Sequence, residues 1–564
     1  MKKPMLRPVL VLILTLANLI PVSLLQAQSV FQLAFGGTLE DRAVGVIENP
    51  NGSYSIAGPT QSFTFGQDDG LSINVSSSGS ILASKYFGST NFEDIYSINP
   101  DGHGGWIAAG YNDDAGPALS ISGYFAHFDS ASNLTWTKNY GGTTVEVFIS
   151  STLLPSGEIV GAGYNFQNGV DGYAAKADSA GNVVWSKSFG DPVSAEILVG
   201  CAATSDNGVL LFGVTDQGSN PDNILLIRLD SIGNIVWSKL YGSGSSDNIA
   251  NAIEYKSGFL LTGWVDFFGT PDAYLTRLDS AGNQLWTKTY GNGDTEMGRS
   301  IMLDAAGDIV LVATQAGASG GLEDGLFIKV DSTGNLKWAK TYGGAGNNDS
   351  FENGIVTSDG AYLAAGRTES FGSGLSDFYL VKTDTSGNSG CSQAIVTLTA
   401  NDTVWAPSFP ISVIDSTYGT SASKSHTAAT AGALPDTLCA TCAIAPAYTL
   451  NDTLYCVGET MVAIDLTPGS TTVNWFWNGL QFGNGPVASQ ILDSAGTFLL
   501  RHVVSNGGCS DTIDTLITVS VTPDLFITDD EICPGDTIWL FSQNPSATQH
   551  DWFENGVQFG SGDS

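Results

Sequence analysis

The sequence predicts an all-β protein, a seven-bladed β-propeller followed by Ig-like β-sandwich modules. Three observations carry that prediction. An aromatic-Gly pair recurs at steps near fifty residues through the first 390 positions. The composition, with 68 Gly, 10% aromatic and only 14% charged residues, suits many short strands joined by tight turns. A second repeat of longer period, built on Cys and Trp, begins after position 450.

The chain opens like a secretion signal. Lys2, Lys3 and Arg7 precede an apolar run from Val9 to Ile20, and Leu25-Gln26-Ala27 offers small residues for cleavage, so residues 1–27 read as a signal peptide and the mature chain starts at Gln28. As a membrane anchor the run is broken at Asn18 and Pro21, and it is short of the roughly 20 residues a span needs. No later segment has the length and apolarity of a transmembrane helix. The formal charge of −35 becomes more negative once the leader's three basic residues are removed. Such a surface repels phosphate backbones and anionic lipid, which argues against nucleic-acid and membrane-surface partners.

Residues 28–390 are organised by the repeat. Phe35-Gly36, Phe87-Gly88, Tyr140-Gly141, Phe189-Gly190, Tyr241-Gly242, Tyr290-Gly291 and Tyr342-Gly343 follow at steps of 52, 53, 49, 52, 49 and 52 residues. A second series, Gly58, Gly110, Gly163, Gly213, Gly263 and Gly366, closes apolar runs on the same beat, with Ala313 as its one departure. Each period reads as four strands; in the third these are Glu146 to Leu153, Glu158 to Gly163, Tyr173 to Asp178 and Val183 to Ser188. Between the last two strands lies D-x-x-G-N, as at Asp178 to Asn182, recurring at Asp230, Asp279, Asp331 and Asp384. An Asp bonding its following backbone, with Gly supplying positive φ, makes a tight hairpin. Four antiparallel strands that cannot bury both faces alone form the blade of a propeller.

The fourth strand carries Trp136, Trp185, Trp237, Trp286 and Trp338, read as structural blade tryptophans packed between neighbouring sheets, each followed two positions on by Lys138, Lys187, Lys239, Lys288 and Lys340. The lysines are expected on the opposite face or snorkelling to solvent. The last period should present its Trp at position 391, but Cys391 stands there, and the missing strand is found at the N-terminus around Phe31. That strand should complete the last blade and close the ring, giving seven blades, although sequence alone also admits six or eight. These units resemble the propeller repeats of secreted Bacteroidetes proteins, which often end in adhesive Ig-like or PKD-like modules and a type IX secretion signal. The resemblance implies architecture and export, and does not name a ligand.

Residues 391–443 are rich in Ser, Thr and Ala and read as an extended connector with some strand content, packed on the propeller. Cys439-Ala440-Thr441-Cys442 lacks the second ligand pair a zinc site needs, so in an exported chain a disulfide from Cys391 to Cys439 or Cys442 is the favoured reading. Downstream, Cys456 to Thr460 matches Cys533 to Thr537, and Trp475 to Gly479 matches Trp552 to Gly556, both at an offset of 77. Cys, buried Trp and a second Cys form the skeleton of an Ig-like sandwich, with Cys456 paired to Cys509. The domains are then 444–522, an Ig-like or PKD-like module, and 523–564, an incomplete second one whose partner cysteine would fall beyond the last residue.

Searching for chemistry yields little. His103, His127, His426, His502 and His550 are scattered, offering no repeated zinc or Ser-His-Asp set, and no EF-hand-type loop occurs. Calcium at the D-x-x-G-N turns is weighed against plain hairpin chemistry, which is favoured. Asp69, Asp171, Asp222, Asp272, Asp324 and Asp377 open the third strands and are weak ligand-binding candidates, for a cation or a polyhydroxyl compound, against simple turn capping. D-x-x-G-x-x-x-W resembles the tryptophan-docking repeat of quinoprotein propellers, but its Asp–Gly spacing is one residue shorter than theirs. No cofactor is expected. The leading expectation is a non-enzymatic secreted or cell-surface binding protein that presents a rigid scaffold to an extracellular protein or glycan. Alternatives are an extracellular hydrolase, lyase or oxidoreductase using Asp113, Asp114 or Glu323, and a structural matrix component.

Overall fold

The computed structural model describes residues 29–114, 120–142, 144–166, 169–190, 193–216, 223–243, 246–266, 270–317, 322–403, 409–410, 414–417, 420–424, 426–431, 435–440, 447–452, 455–467, 472–478, 480–506, 509–520, 525–527, 540–542, 551–554 and 557–561. The expected signal peptide, residues 1–27, lies outside that set, as does Asp222. No helix among the described residues is long and apolar enough to cross a membrane.

Secondary structure is all β. Seven five-stranded antiparallel sheets occupy residues 31–440. Sheet 1 runs through Gly45–Glu48, Tyr54–Thr60, Asp69–Val75 and Ile81–Gly88. Sheets 2 to 6 repeat that meander, their first strands being Glu93–Pro100, Glu146–Leu153, Glu196–Ala203, Asp247–Glu254 and Thr295–Leu303. Sheet 7 takes Asp349–Val356, Tyr362–Thr368 and Asp377–Thr383 from the end of the repeat and its fourth strand, Phe31–Phe35, from the beginning, with Phe31 opposite Lys382. The first strands touch their neighbours in a closed cycle, that of sheet 7 against that of sheet 1, so the sheets form a ring.

The fifth strand of every sheet comes from the segment expected to be a connector. Gln393–Val396 joins sheet 6, Thr399–Thr403 sheet 5, Phe409–Pro410 sheet 4, Ile414–Thr417 sheet 3, Thr420–Lys424 sheet 2 and Thr427–Thr430 sheet 1. Pro435–Ala440 ends the circuit on sheet 7, beside Phe31–Phe35. The chain therefore travels round the ring once as it builds the sheets and once back in the opposite sense, as a strap pairing each outer edge. Short strands suffice because an edge needs only partners for its outward N–H and C=O groups. Between strands the strap sets Leu398, His426 and Ala431 into the ring, with Leu398 and Ala431 in its apolar clusters.

Neighbouring sheets are joined by one repeated device. The Trp136 ring lies where a Cβ on Gly181 of the next turn would fall within 2.8 Å, and Trp185, Trp237, Trp286 and Trp338 sit likewise on Gly233, Gly282, Gly334 and Gly387. Phe31 takes the same place over Gly79, the sixth member of that series. Two residues after the Trp, the Lys ammonium reaches the same turn: Lys138 donates to Asn182 and Lys239 to Asn283, while Lys187 donates to the Gly233 carbonyl. The lysines are thus neither on the opposite face nor simply snorkelling, because residues i and i+2 of a strand share a face. Lys288 is the exception and pairs with Asp402 of the strap at 2.7 Å. The Tyr140 hydroxyl donates to the Gly181 carbonyl at 2.7 Å, and Tyr290 and Tyr342 repeat the bond to Gly334 and Gly387. Within each turn the Asp carboxylate accepts the backbone N–H groups two and four residues on, as Asp178 does from Ala180 and Asn182.

Residues 448–520 form a three-stranded and a five-stranded sheet around a separate core of Met461, Ala463, Trp475, Leu500 and Val504. Its expected disulfide is absent, since Cys456 is a free thiol. The register gives the reason: Cys456 lies opposite Ser520 at one end of the strand Cys509–Ser520, and Cys509 begins its other end. Eleven strand residues separate the two levels, about 35 Å, whereas a disulfide needs Cα atoms within about 7 Å. The hairpin of Trp475 opposite Gly483 recurs 77 residues on as Trp552 opposite Gly560, with the same register shift after the Trp.

Candidate functional site

The site begins with an irregularity shared by the innermost strands. In sheet 2, Ile95 pairs with Gly110 and Ser97 with Ala109, which leaves Tyr96 as an extra, unpaired residue. The same bulge isolates Ile149, Val199, Ala250, Arg299 and Glu352 in sheets 3 to 7. A bulge re-aims one side chain away from the pleat, and here those residues line a common cavity of about 330 Å³ together with Val44. The second glycine series follows from this geometry. A Cβ at Gly110, Gly163, Gly213, Gly263 or Gly366 would lie 1.8–2.0 Å from a carbonyl oxygen of the bulged strand. Ala313, the departure, faces Gly298, so in that sheet a glycine stands on the bulged strand instead.

Polar residues complete the wall: Asn248, Asn251, Asn353, Ser97 and Ser150 line the cavity with Arg42, Trp264, Arg299 and Glu352. Arg42 also lines an adjoining cavity of about 260 Å³ with Asp68, Asp94, Gln61 and Arg367. Aromatic rings cluster at the same end of the strands. Tyr111 stacks between Phe92 and Tyr96 at centroid distances of 5.6 and 5.8 Å, and Tyr164 meets Phe166 edge-on at 5.6 Å. The Arg42 guanidinium lies 5.5 Å from the Tyr96 ring and 3.5 Å from Asp94, and the Arg299 guanidinium lies 5.5 Å from the Trp264 ring. Burial pushes the Asp94 carboxyl up, with Arg42 opposing that shift, and burial also raises the Tyr96 and Tyr111 hydroxyls.

None of the five described aspartates at the third-strand openings lines either cavity. Asp69 and Asp377 are fully buried and spend their carboxylates on turns: Asp69 accepts the Phe65 N–H at 2.5 Å, and Asp377 accepts those of Ser373 and Gly374. Asp171 is buried beside Ser188, while Asp272 and Asp324 are half-buried. These aspartates also explain the aromatic-Gly repeat, because a Cβ at Gly36, Gly88, Gly190, Gly291 or Gly343 would strike Asp377, Asp69, Asp171, Asp272 or Asp324.

Sequence reading missed their partners, Asp41, Glu93, Glu146, Glu196, Asp247, Glu296 and Asp349, which stand at or just before the starts of the first strands and are all almost completely buried. The signal was available, since each stands five or six residues after the Gly of its aromatic-Gly pair. Carboxylates from adjacent sheets meet at these junctions. Burial raises Asp69 to about 8 beside Glu93, Glu296 to about 7 near Asp272, and Asp324 to about 6 near Asp349. A shared proton relieves the repulsion. At one junction the strap intervenes: His426, with its side chain buried, sits 3.3 Å from Glu93 and stacks on Tyr124, and together with Ser89 it holds the Glu93 carboxyl below its usual range.

Of the enzymatic candidates, Glu323 stands 3.8 Å from Arg367, and the side chain of Asp114 lies outside the described residues. Among the described residues no group of three His, Cys, Asp or Glu converges to hold a metal. No protein-family model and no curated protein matches this chain. Among solved structures, Sqt1 from Chaetomium thermophilum is 14% identical over 48% of this chain and 79% of its own, with a TM-score of 0.31. The native conformation of E. coli alpha-2-macroglobulin is 8% identical over 92% of this chain and 37% of its own, with a TM-score of 0.13. Likeness at this level carries no argument about fold or function.

Proposed function

We propose that this chain is a secreted or cell-surface binding protein without enzymatic activity, in which a seven-bladed β-propeller takes a glycan at the mouth of its central channel. The observation that carries this reading is the convergence of Tyr96, Arg299 and Glu352, aimed inward by bulges, with Tyr111, Tyr164 and Trp264 at one end of the ring. Ring faces stack on the C–H faces of sugars, while amide, guanidinium and carboxylate groups satisfy their hydroxyls, and a small concave site with few placed polar groups is the usual form of a ligand pocket. A protein partner would call for a broader surface than this mouth. Export by a cleaved leader and Ig-like or PKD-like modules after the propeller belong to the same reading; a Bacteroidetes-type surface protein has that plan.

The strap adds a covalent element to the proposal. Cys391 is disulfide-bonded, while Cys201 and Cys456 are free. Gln32 bonds the Cys391 carbonyl at 2.5 Å through its side chain and lies opposite Cys439 in the backbone register. A Cys391–Cys439 bond would therefore close the strap into a hoop around the propeller.

The test is a glycan and protein array probed with the whole secreted chain, since the strap is integral to every sheet. Saturable glycan binding that falls at least tenfold in Trp264→Ala supports the reading. Binding confined to proteins, or turnover of a polysaccharide, overturns it.

A further inference from the structure

We infer that the channel recognises an acidic sugar, a hexuronate whose carboxylate is held by Arg299 over Trp264. This rests on the glycan reading above and adds the charge of the ligand to it. Six arginines are described, and five have their partners within the protein. Arg42, Arg228, Arg367 and Arg501 lie within 4 Å of Asp94, Asp206, Glu323 and Asp514, and Arg277 donates to the backbone carbonyls of Phe259 and Lys256. Arg299 has neither a carboxylate nor a carbonyl. Its guanidinium contacts the Trp264 ring, its Nε is buried with no acceptor, and it lines the 330 Å³ cavity. In a chain of net charge −35, a guanidinium with no described carboxylate within 4 Å, half-buried in a channel, is reserved for an anion from outside.

The surrounding groups limit what that anion can be. Glu352, on the neighbouring bulge, lines the same cavity and makes no ion pair within 4 Å among the described residues, so an anion without hydroxyls would meet its negative charge and offer it no donor in return. A sugar acid resolves both requirements. Its carboxylate takes the guanidinium fork, its hydroxyls donate to Glu352 and to the Asn251 carbonyl oxygen, which is buried without a donor, and Asn248 and Asn353 supply further amide contacts. The remaining charged group on this wall, Arg42, is engaged by Asp94 and Tyr96 and holds the rim.

The experiment titrates the whole secreted chain by calorimetry with trimers of galacturonate, mannuronate and guluronate, each beside its carboxyl-reduced neutral counterpart. At least one uronate trimer should bind about 10- to 100-fold more tightly than its neutral counterpart, the worth of a charge-assisted hydrogen-bonded pair. Arg299→Gln should erase that preference while leaving thermal unfolding unchanged, and Arg299→Lys should restore only part of it, because an ammonium lacks the planar fork. Equal affinity for charged and reduced trimers, or a preference untouched by Arg299→Gln, overturns the inference. In that case a loss of both affinities in Trp264→Ala still supports a glycan site at the mouth. Binding of no trimer overturns the inference as well, and the array then decides the broader reading separately.

Discussion

The ring and the C-terminal sheets solve the same problem, the exposed strand edge, in different ways. In residues 448–520 two sheets cover one another around Trp475, and among the described residues no further strand pairs their edges, with Leu480, Val487 and Ile491 exposed. In the ring each sheet is covered by its neighbours, the circle is closed by Phe31–Phe35, and every outer edge is then paired a second time by the strap. The difference teaches where stability resides. The sandwich depends on one local core, whereas the ring depends on a closing strand that pairs Phe31 with Lys382 and on a strap whose pairings reach from Tyr342 with Gln393 to Phe31 with Ala440.

Removing the strap should break that contrast most severely. A chain ending at Ser389 loses the fifth strand of all seven sheets along with Leu398, His426 and Ala431. Even a few net hydrogen bonds per sheet, at about 1 kcal/mol each, exceed the whole stability of a typical domain. We expect loss of the cooperative thermal transition or association through the freed edges, measured by calorimetry and size-exclusion chromatography. A chain ending at Pro446 should keep the ring's transition, because no sheet is shared between the two regions.

A single strap residue sharpens the same point. His426→Ala removes the hydrogen bond that His426 gives the buried Glu93 carboxyl opposite Asp69, a loss that typically costs about 1–3 kcal/mol. Urea unfolding at neutral pH measures it. The double variant Glu93→Gln, His426→Ala should recover much of the loss, since the buried charge goes with its partner; no recovery would mean that packing on Tyr124 is what matters.

Backbone crowding comes next. Gly213→Ala places a methyl 2.0 Å from the Ile197 carbonyl oxygen and should cost about 1–3 kcal/mol. Ala313→Gly, at the equivalent place in sheet 6, should cost only the loop-like freedom of a glycine, about 0.5–1 kcal/mol. Thermal unfolding of the two variants side by side checks the asymmetry.

The ring-forming repeat was legible because its signals are local and periodic: the aromatic-Gly pair, the D-x-x-G-N turn and the Trp each act within one period. Closure through Phe31 was legible too, because a missing repeat element leaves a countable gap. The strap was not. Thr420–Lys424 and Thr427–Thr430 pair only at an outer edge, so they need neither apolar alternation nor turns of fixed spacing, and a Ser/Thr/Ala-rich stretch reads as linker. The channel residues escaped for a related reason. Tyr96, Arg299 and Glu352 share a position but not a chemistry, and a bulge is invisible in one sequence; only the glycines opposite it, Gly110 and Gly366 among them, betrayed the geometry. The Cys456–Cys509 expectation failed because spacing along a chain says nothing about level along a strand.

A further contrast is a difference of sign with pH. In the ring, Asp69 is raised to about 8 by burial beside Glu93, so the folded state holds a proton that the unfolded chain releases near 4. That contribution is fully present below the unfolded value and is lost as pH rises through about 8. In the sandwich, burial against Trp475 holds His502 below its ordinary value, with Asp465 at 3.3 Å opposing the shift only in part. Its contribution is present above the unfolded value near 6.5 and is lost as pH falls through the lower folded value. Between pH 5 and pH 8 the two terms therefore run in opposite directions. Asp69→Asn should flatten the decline of the ring's transition with rising pH and leave the sandwich unmoved, while His502→Gln should reduce the sandwich's loss toward acid and leave the ring unmoved. Calorimetric scans of the whole chain across that range, resolved into two transitions, decide the matter; slopes of the same sign in both would show that these two groups do not set the pH response.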